Sequence, residues 1–322
     1  MHTIFDLQQM LETAINRIEY PARPAKLYEP LRYIMRLGGK RIRPVLLLLS
    51  SEMFNSDVTV AMEAALAIET FHNFTLIHDD IMDNAPLRRG QDTVHIKWGV
   101  NNAILSGDVM MVEANKHLTN LDVTVLKAAL ECFNATAQGV CEGQQLDMEF
   151  EERNDVSIPE YLNMIRLKTA VLVGGAMKLG AIVGGAGDSD AELLYQFGEH
   201  FGLAFQLQDD ILDVYGDPLK FGKQVGGDII ANKQTFLLLK LKELATAQDR
   251  DLLIQQHTST DTGLKVAAIT RLYNKYNIRE LAAIEMQHSL DIAFTSLEKV
   301  SISTTKKAEL MQLAKSLINR EY

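Results

Sequence analysis

The chain has 322 residues, 47% of them hydrophobic, with 32 Lys and Arg against 42 Asp and Glu and a formal charge of −10. That length can bury a large core as a soluble globular protein. The acidic balance argues against a nucleic-acid partner, which calls for a basic face, yet it leaves room for a local basic pocket that binds anions. Cys132 and Cys141 are the only cysteines and form no CxxC pair, as expected of a protein in the reducing cytoplasm.

Along the chain, the first twenty residues mix acids with apolar positions and do not read as a signal peptide. Residues 38–44, GGKRIRP, bring Lys40, Arg41 and Arg43 together. Residues 74–83, FTLIHDDIMD, place Asp79, Asp80 and Asp83 in an apolar run, with Arg88 and Arg89 just beyond. The tracts 87–158 and 219–322 lack proline and repeat apolar residues at three and four residue spacing, a helix signal. Ser157 is a plausible N-cap with Pro159 in the first turn of a helix that runs into RLKTAVL, residues 166–172. Residues 170–187 are apolar and hold Lys178 and repeated glycines, so they read as a close-packed helix and not as an integral membrane segment. A second acid run, FQLQDDILD at 205–213, repeats the DDxxD pattern with Asp209, Asp210 and Asp213. The loop-like residues 215–228 carry Lys223, Lys233 follows, and 236–322 read as charged helices of unassigned chemistry. Alternating β-branched runs are nearly absent. The expected fold is all-α, one domain over residues 1–322.

At about 100° per residue the three aspartates of each DDxxD fall on one helix face. Two unit charges about 4 Å apart interact by about 4 kcal/mol at an effective dielectric near 20, so such a trio calls for compensation. Hard divalent cations supply it, and oxygen ligands suit Mg²⁺. One DDxxD reads equally well as a solvated helix face or an acid-rich first turn; two of them, each followed by bases, favour metal. Arginine forks match phosphate oxygens, and lysine adds a mobile charge, so the bases suggest a diphosphate substrate. There is no GxxxxGKS loop, no GxGxxG after a strand and no HExxH.

Taken in order, GGKRIRP, ETFHNFTLIHDDIMDNAPLRRG, GQQLD, RLKTAVL and FQLQDDILDVYGD…GK…GGDI…KQT resemble the trans-prenyltransferases, the head-to-tail isoprenyl diphosphate synthases, from about residue 30 to 235. The resemblance implies an antiparallel helical bundle around a deep central cavity, a homodimer, and three Mg²⁺ ions per active site. It implies that Asp79 and Asp83 hold Mg²⁺ on the allylic diphosphate with Asp80 in support, and that Asp209 holds a third ion with Asp210 and Asp213 near it. Arg88, Lys168, Thr169, Gln206 and Lys223 are then expected on the allylic diphosphate, with Lys233 a weaker candidate. Lys40, Arg43, His72 and Arg89 are expected on isopentenyl diphosphate, and Gln144 and Asp147 support metal or water. Ionisation of the allylic C–O bond, attack by the isopentenyl double bond and proton loss to the released diphosphate complete the implied reaction.

Product length follows from what blocks the cavity below Asp79, and Phe74, Thr75 and, a turn deeper, Phe71 are the candidate stops. A bulky ring beside a small residue resembles geranylgeranyl-forming members, so a C20 product is expected ahead of C15. Phe74 also reads as ordinary helix packing. Two rival functions stay open: a class I terpene cyclase, whose second metal motif differs from DDILD, and a subunit of a heteromeric prenyltransferase.

Overall fold

The computed structural model describes residues 1–216 and 225–318. The helices are α1 (Ile4–Asn16), α2 (Ala25–Arg36), α3 (Ile42–Glu52), α4 (Met62–Met82), α5 (Val94–Trp98), α6 (Val100–Leu118), α7 (Val123–Glu152), α8 (Ile158–Ile165), α9 (Val171–Val183) and α10 (Asp188–Tyr215). They continue with α11 (Gly227–Ile230), α12 (Phe236–Leu244), α13 (Ala247–His257), α14 (Thr262–Lys275), α15 (Ile278–Lys299) and α16 (Thr304–Ile318). Among the described residues the strands are β1 (Leu87–Arg88) and β2 (Gln91–Asp92), an antiparallel pair. The all-α expectation holds, and no described helix is long and apolar enough to cross a membrane.

Contacts divide the chain into two compact units. The first comprises Met1–Ala137, Gly175–Tyr195 and Val300–Leu310. Its core includes Leu46 to Leu49 of α3 and Ala64 to Ile68 of α4. Close backbone approach explains two glycines of residues 170–187: a Cβ at Gly180 would lie 2.9 Å from the Leu47 carbonyl carbon, and one at Gly184 would lie 2.6 Å from the Ser51 oxygen. Ser50 Oγ donates to the Met177 carbonyl at 2.6 Å in the same contact.

The second unit comprises Gln138–Gly174, Gln196–Lys299 and Met311–Tyr322. Its core gathers Leu207, Ile211, Phe236, Leu241, Tyr273 and Ile278. Ser157 caps α8 as expected, accepting from the Glu160 amide, while the Glu160 carboxylate accepts from the Ser157 amide at 2.9 Å. Regular helix stops there. Residues Arg166–Ala170, read in the sequence as plain helix, form a π-turn, with the Val171 amide donating to the Arg166 carbonyl. Such widened turns often mark functional sites, and this one carries Lys168 and Thr169.

Candidate active site

In the first unit, α4 ends within its acid cluster. Asp79 and Asp80 lie on the last turn, and Asp83 follows as the cap, its amide donating to the Asp79 carbonyl at 2.9 Å. The chain then reverses through the β1–β2 hairpin, whose turn residues Arg89 and Gly90 have φ of 52° and 74°. Two positive φ values in a two-residue turn match the twist of the strands. This hairpin returns Arg88 to the helix end, where its Nε donates to both Asp80 oxygens at 2.9 Å. The same guanidinium stands 3.7 Å from Asp79 Oδ2. Asp80 is buried, which raises its pKa, while Arg88 draws it back down. Arg88 is thus the partner of Asp80, half-buried Asp79 and exposed Asp83 being the more open acids.

The three basic residues of GGKRIRP divide their roles. Arg41 is an internal strut at the head of α3: its Nε reaches Glu12 at 2.8 Å, and its two terminal nitrogens reach Glu69 at 2.5 Å and the Met35 carbonyl at 2.6 Å. Lys40 is exposed beside it. Arg43 donates to His72 Nε2 at 3.1 Å. Burial, followed by the charges of Arg43 and Arg89, holds the His72 pKa well below its usual value, so the ring is neutral and accepts at Nε2. Arg89 donates to the Gly38 carbonyl and lays its guanidinium where a Cβ of Gly39 would sit. Arg43, His72 and Arg89 therefore share one electrostatic neighbourhood.

Below the acids, Phe71 is fully buried, with ring centroids 5.4 Å from Phe133 and 5.5 Å from Phe74. Phe74 is half-buried and meets His78 edge-on at 4.7 Å, so it is held between two rings. Thr75 Oγ1 donates to the His72 carbonyl at 2.8 Å.

In the second unit the pattern recurs with different partners. Asp210, the central acid, is buried, and Tyr161 Oη donates to its Oδ2 at 2.5 Å. Burial pushes its pKa up to about 7 against the pull of that hydroxyl. Asp209 beside it is half-buried. Asp213 Oδ2 accepts the Asp228 amide at 3.1 Å, tying α10 to the head of α11. Lys168 Nζ donates to Asp147 Oδ2 at 2.5 Å, and Thr169 Oγ1 donates to Gln206 Oε1 at 3.3 Å. Lys168, Thr169, Gln206, Asp210, Asp228 and Lys233 line one cavity of about 120 Å³. Gln144 is half-buried on α7, and Lys223 lies outside the described residues.

Some contributors escaped the sequence reading. Tyr161 carries no local mark of its role. Asp228 sits in the quoted GGDI, where its acid could have been noticed. Gly143 opens GQQLD: a Cβ there would lie 2.6 Å from both Lys168 Cα and the Leu167 carbonyl carbon, so only glycine lets α7 meet the π-turn.

Asp79 and Asp83 in the first unit, and Asp209 in the second, each offer carboxylate oxygen, the donor type that a hard divalent cation takes. Among the described residues no three His, Cys, Asp or Glu are grouped to hold an ion by themselves.

Comparison with known proteins bears on the same residues. A short chain isoprenyl diphosphate synthase of Methanothermobacter thermautotrophicus is 41% identical over 301 residues, 93% of this chain and 92% of that one. A geranylgeranyl diphosphate synthase of Methanosarcina mazei is 36% identical over 319 residues, covering 97% and 95%. A crystal structure of a geranylgeranyl pyrophosphate synthase superimposes with a TM-score of 0.94 at 41% identity, covering all of both chains. The polyprenyl synthetase family model matches residues 24–275, both acid clusters included, and the chain belongs to that family.

Proposed function

We propose that this protein is a prenyltransferase that condenses isopentenyl diphosphate head-to-tail with an allylic diphosphate, giving a short-chain all-trans prenyl diphosphate, C20 ahead of C15. One observation carries the reading: each DDxxD helix buries and pins its central acid, Asp80 by Arg88 and Asp210 by Tyr161, and leaves the first acid more open. Each pinned acid fixes its own helix end, and the neighbouring carboxylates carry the oxygen donors that a hard cation takes.

Asp79 and Asp83 in one unit and Asp209 in the other would hold divalent metal, with Mg²⁺ the ion their oxygens suit. Mg²⁺ characteristically takes one or two carboxylates and completes its shell with water and substrate phosphate. When bound, the metal neutralises charge on the departing diphosphate.

The chain's own residues do the rest. Lys168, Thr169, Gln206 and Lys233 converge on one cavity and bind the allylic diphosphate, and each preorganised donor stabilises the charge that develops as the C–O bond breaks. Arg88, beside Asp79, adds a guanidinium to that diphosphate, and we assign Lys223 the same role. Arg43, Arg89 and Lys40 hold isopentenyl diphosphate, and neutral His72 orients Arg43. Phe74, fixed between Phe71 and His78, limits the growing chain, with Thr75 on the next position. We further propose a cytoplasmic homodimer, joined through the exposed apolar stripe Val100, Ile104, Leu105 and Val112 of α6.

The test is mass analysis of products from isopentenyl diphosphate with C5, C10 and C15 starters and Mg²⁺. Asp79→Ala and Asp209→Ala are each expected to lower turnover at least 100-fold, the scale of losing one transition-state contact. Unchanged turnover and unchanged metal dependence in both variants would refute the assignment.

A further inference from the structure

Within the second unit lies a second cavity, of about 560 Å³, which shares Asp210, Asp228 and Lys233 with the smaller one. Leu238, Leu253, Ile269 and Tyr273 stand in its wall, and its volume is in the range that receives small organic ligands. Lys242 and Lys265 also line it, and both have neutral partners. Lys265 is 4% exposed, and its Nζ donates to the Ile230 carbonyl at 3.1 Å and to Asn232 Oδ1 at 2.6 Å. Lys242, half-buried, donates to Gln234 Oε1 at 2.8 Å. Burial lowers the pKa of both ammonium groups. A cation withdrawn from water without a counter-charge is costly, and an anion brought to it relieves that cost.

The rest of the lining differs in character. Asp210 and Asp228 also line the cavity, and Asp210 is already engaged by Tyr161. Lys233, Gln234 and Thr235 line both this cavity and the smaller one that holds Lys168 and Thr169. An occupant would therefore press on the back of the segment that serves the active site.

We propose that this cavity is a second binding site, for an amphiphilic anion: a flexible apolar chain ending in a phosphate, diphosphate or carboxylate that meets Lys242 and Lys265. The apolar wall takes the chain, and the two ammonium groups take the head. A head on Lys265 competes with Ile230 and Asn232 for its protons, which loosens the turn carrying Asp228 and Lys233 and slows turnover. That last effect rests on the role given above to the second acid segment; binding itself does not. The ligand chemistry is met by two sources, a prenyl phosphate resembling the enzyme's own product and a fatty-acyl anion.

The test is calorimetric titration of the full chain, without substrate or metal, using farnesyl phosphate, dodecanoate and neutral dodecanol. Wild type is expected to bind an anion. Ile269→Trp, which fills the cavity, and Lys242→Gln are each expected to bind it at least tenfold more weakly while turning over within about twofold of wild type. Dodecanol is expected to bind at least tenfold more weakly than the better anion. Tighter binding of farnesyl phosphate than of dodecanoate assigns the site to prenyl phosphates, and the reverse order assigns it to fatty-acyl anions. In turnover assays the anion is expected to lower kcat without competing with the allylic substrate. No anion bound by wild type, or equal affinity in wild type and Lys242→Gln, overturns the proposal, and Lys242→Gln carries the test alone if Ile269→Trp does not fold. Loss of turnover in wild type would strike the proposed function and leave the titration to decide this one.

Discussion

Adding one methyl group at Gly143 separates catalytic positioning from plain stability. A Cβ there falls 2.6 Å from Lys168 Cα and from the Leu167 carbonyl carbon, where ordinary contact begins near 3.4 Å. Every obstacle is backbone, the Lys168 amide nitrogen nearest of all, so no rotamer change relieves it, and α7 must part from the π-turn by more than 1 Å. Overpacking of this kind typically costs about 1–3 kcal/mol, offset by about 1 kcal/mol because alanine favours helix over glycine. Gly143→Ala is therefore expected to lose up to about 2 kcal/mol of stability in urea unfolding. Its turnover is expected to fall far more, by about 100-fold, because displacement near 1 Å misplaces a reacting pair by that factor. Gly139, one turn earlier on the same helix, is the internal control: its Cβ would meet Val171 Cγ2 at 3.4 Å and Leu167 Cδ2 at 3.6 Å. Gly139→Ala should keep wild-type kinetics and gain up to about 1 kcal/mol. Steady-state assays varying the allylic and isopentenyl substrates separately complete the experiment. The Gly143→Ala loss is expected to follow the allylic substrate, and wild-type kinetics in that variant would refute the reasoning.

Phe74→Ala is expected to lengthen the product by at least one C5 unit, read by mass analysis, since the ring is removed while Phe71 still closes the core behind it. His72 gives a pH dependence: its folded pKa lies below the unfolded value near 6.5, so its contribution to stability is complete above that pH and is lost as pH falls through it. His72→Gln is expected to flatten the stability–pH slope between pH 5 and 6 by up to about 1.4 kcal/mol per pH unit in chemical denaturation, the effect of one proton. Leu105→Glu puts a charge in the exposed stripe of α6 and is expected to convert dimer to monomer in light scattering.

Much of the site could be read without coordinates because its signals are local. Helix periodicity, the Ser157 cap and the two DDxxD clusters all lie within a few turns of chain, and the structure builds each as helix or helix end. GGKRIRP announced a group of bases, but three neighbouring bases look alike in sequence. Their separation into the strut Arg41 and the more open Lys40 and Arg43 depends on Glu12 and Glu69, each more than twenty residues away. The same holds for the central acids. Nothing within DDILD says that Asp210 will be buried, because its partner Tyr161 is 49 residues distant. RLKTAVL reads as regular helix by pattern, and the π-turn depends on Gly143 admitting its backbone from α7. The sequence alone determined which helices form and which chemical groups they carry, since helix propensity and side-chain chemistry act over neighbouring residues. Only the tertiary structure decided which acid of each cluster is buried and what holds it, because burial and pairing depend on residues that are far apart along the chain and meet only in the fold.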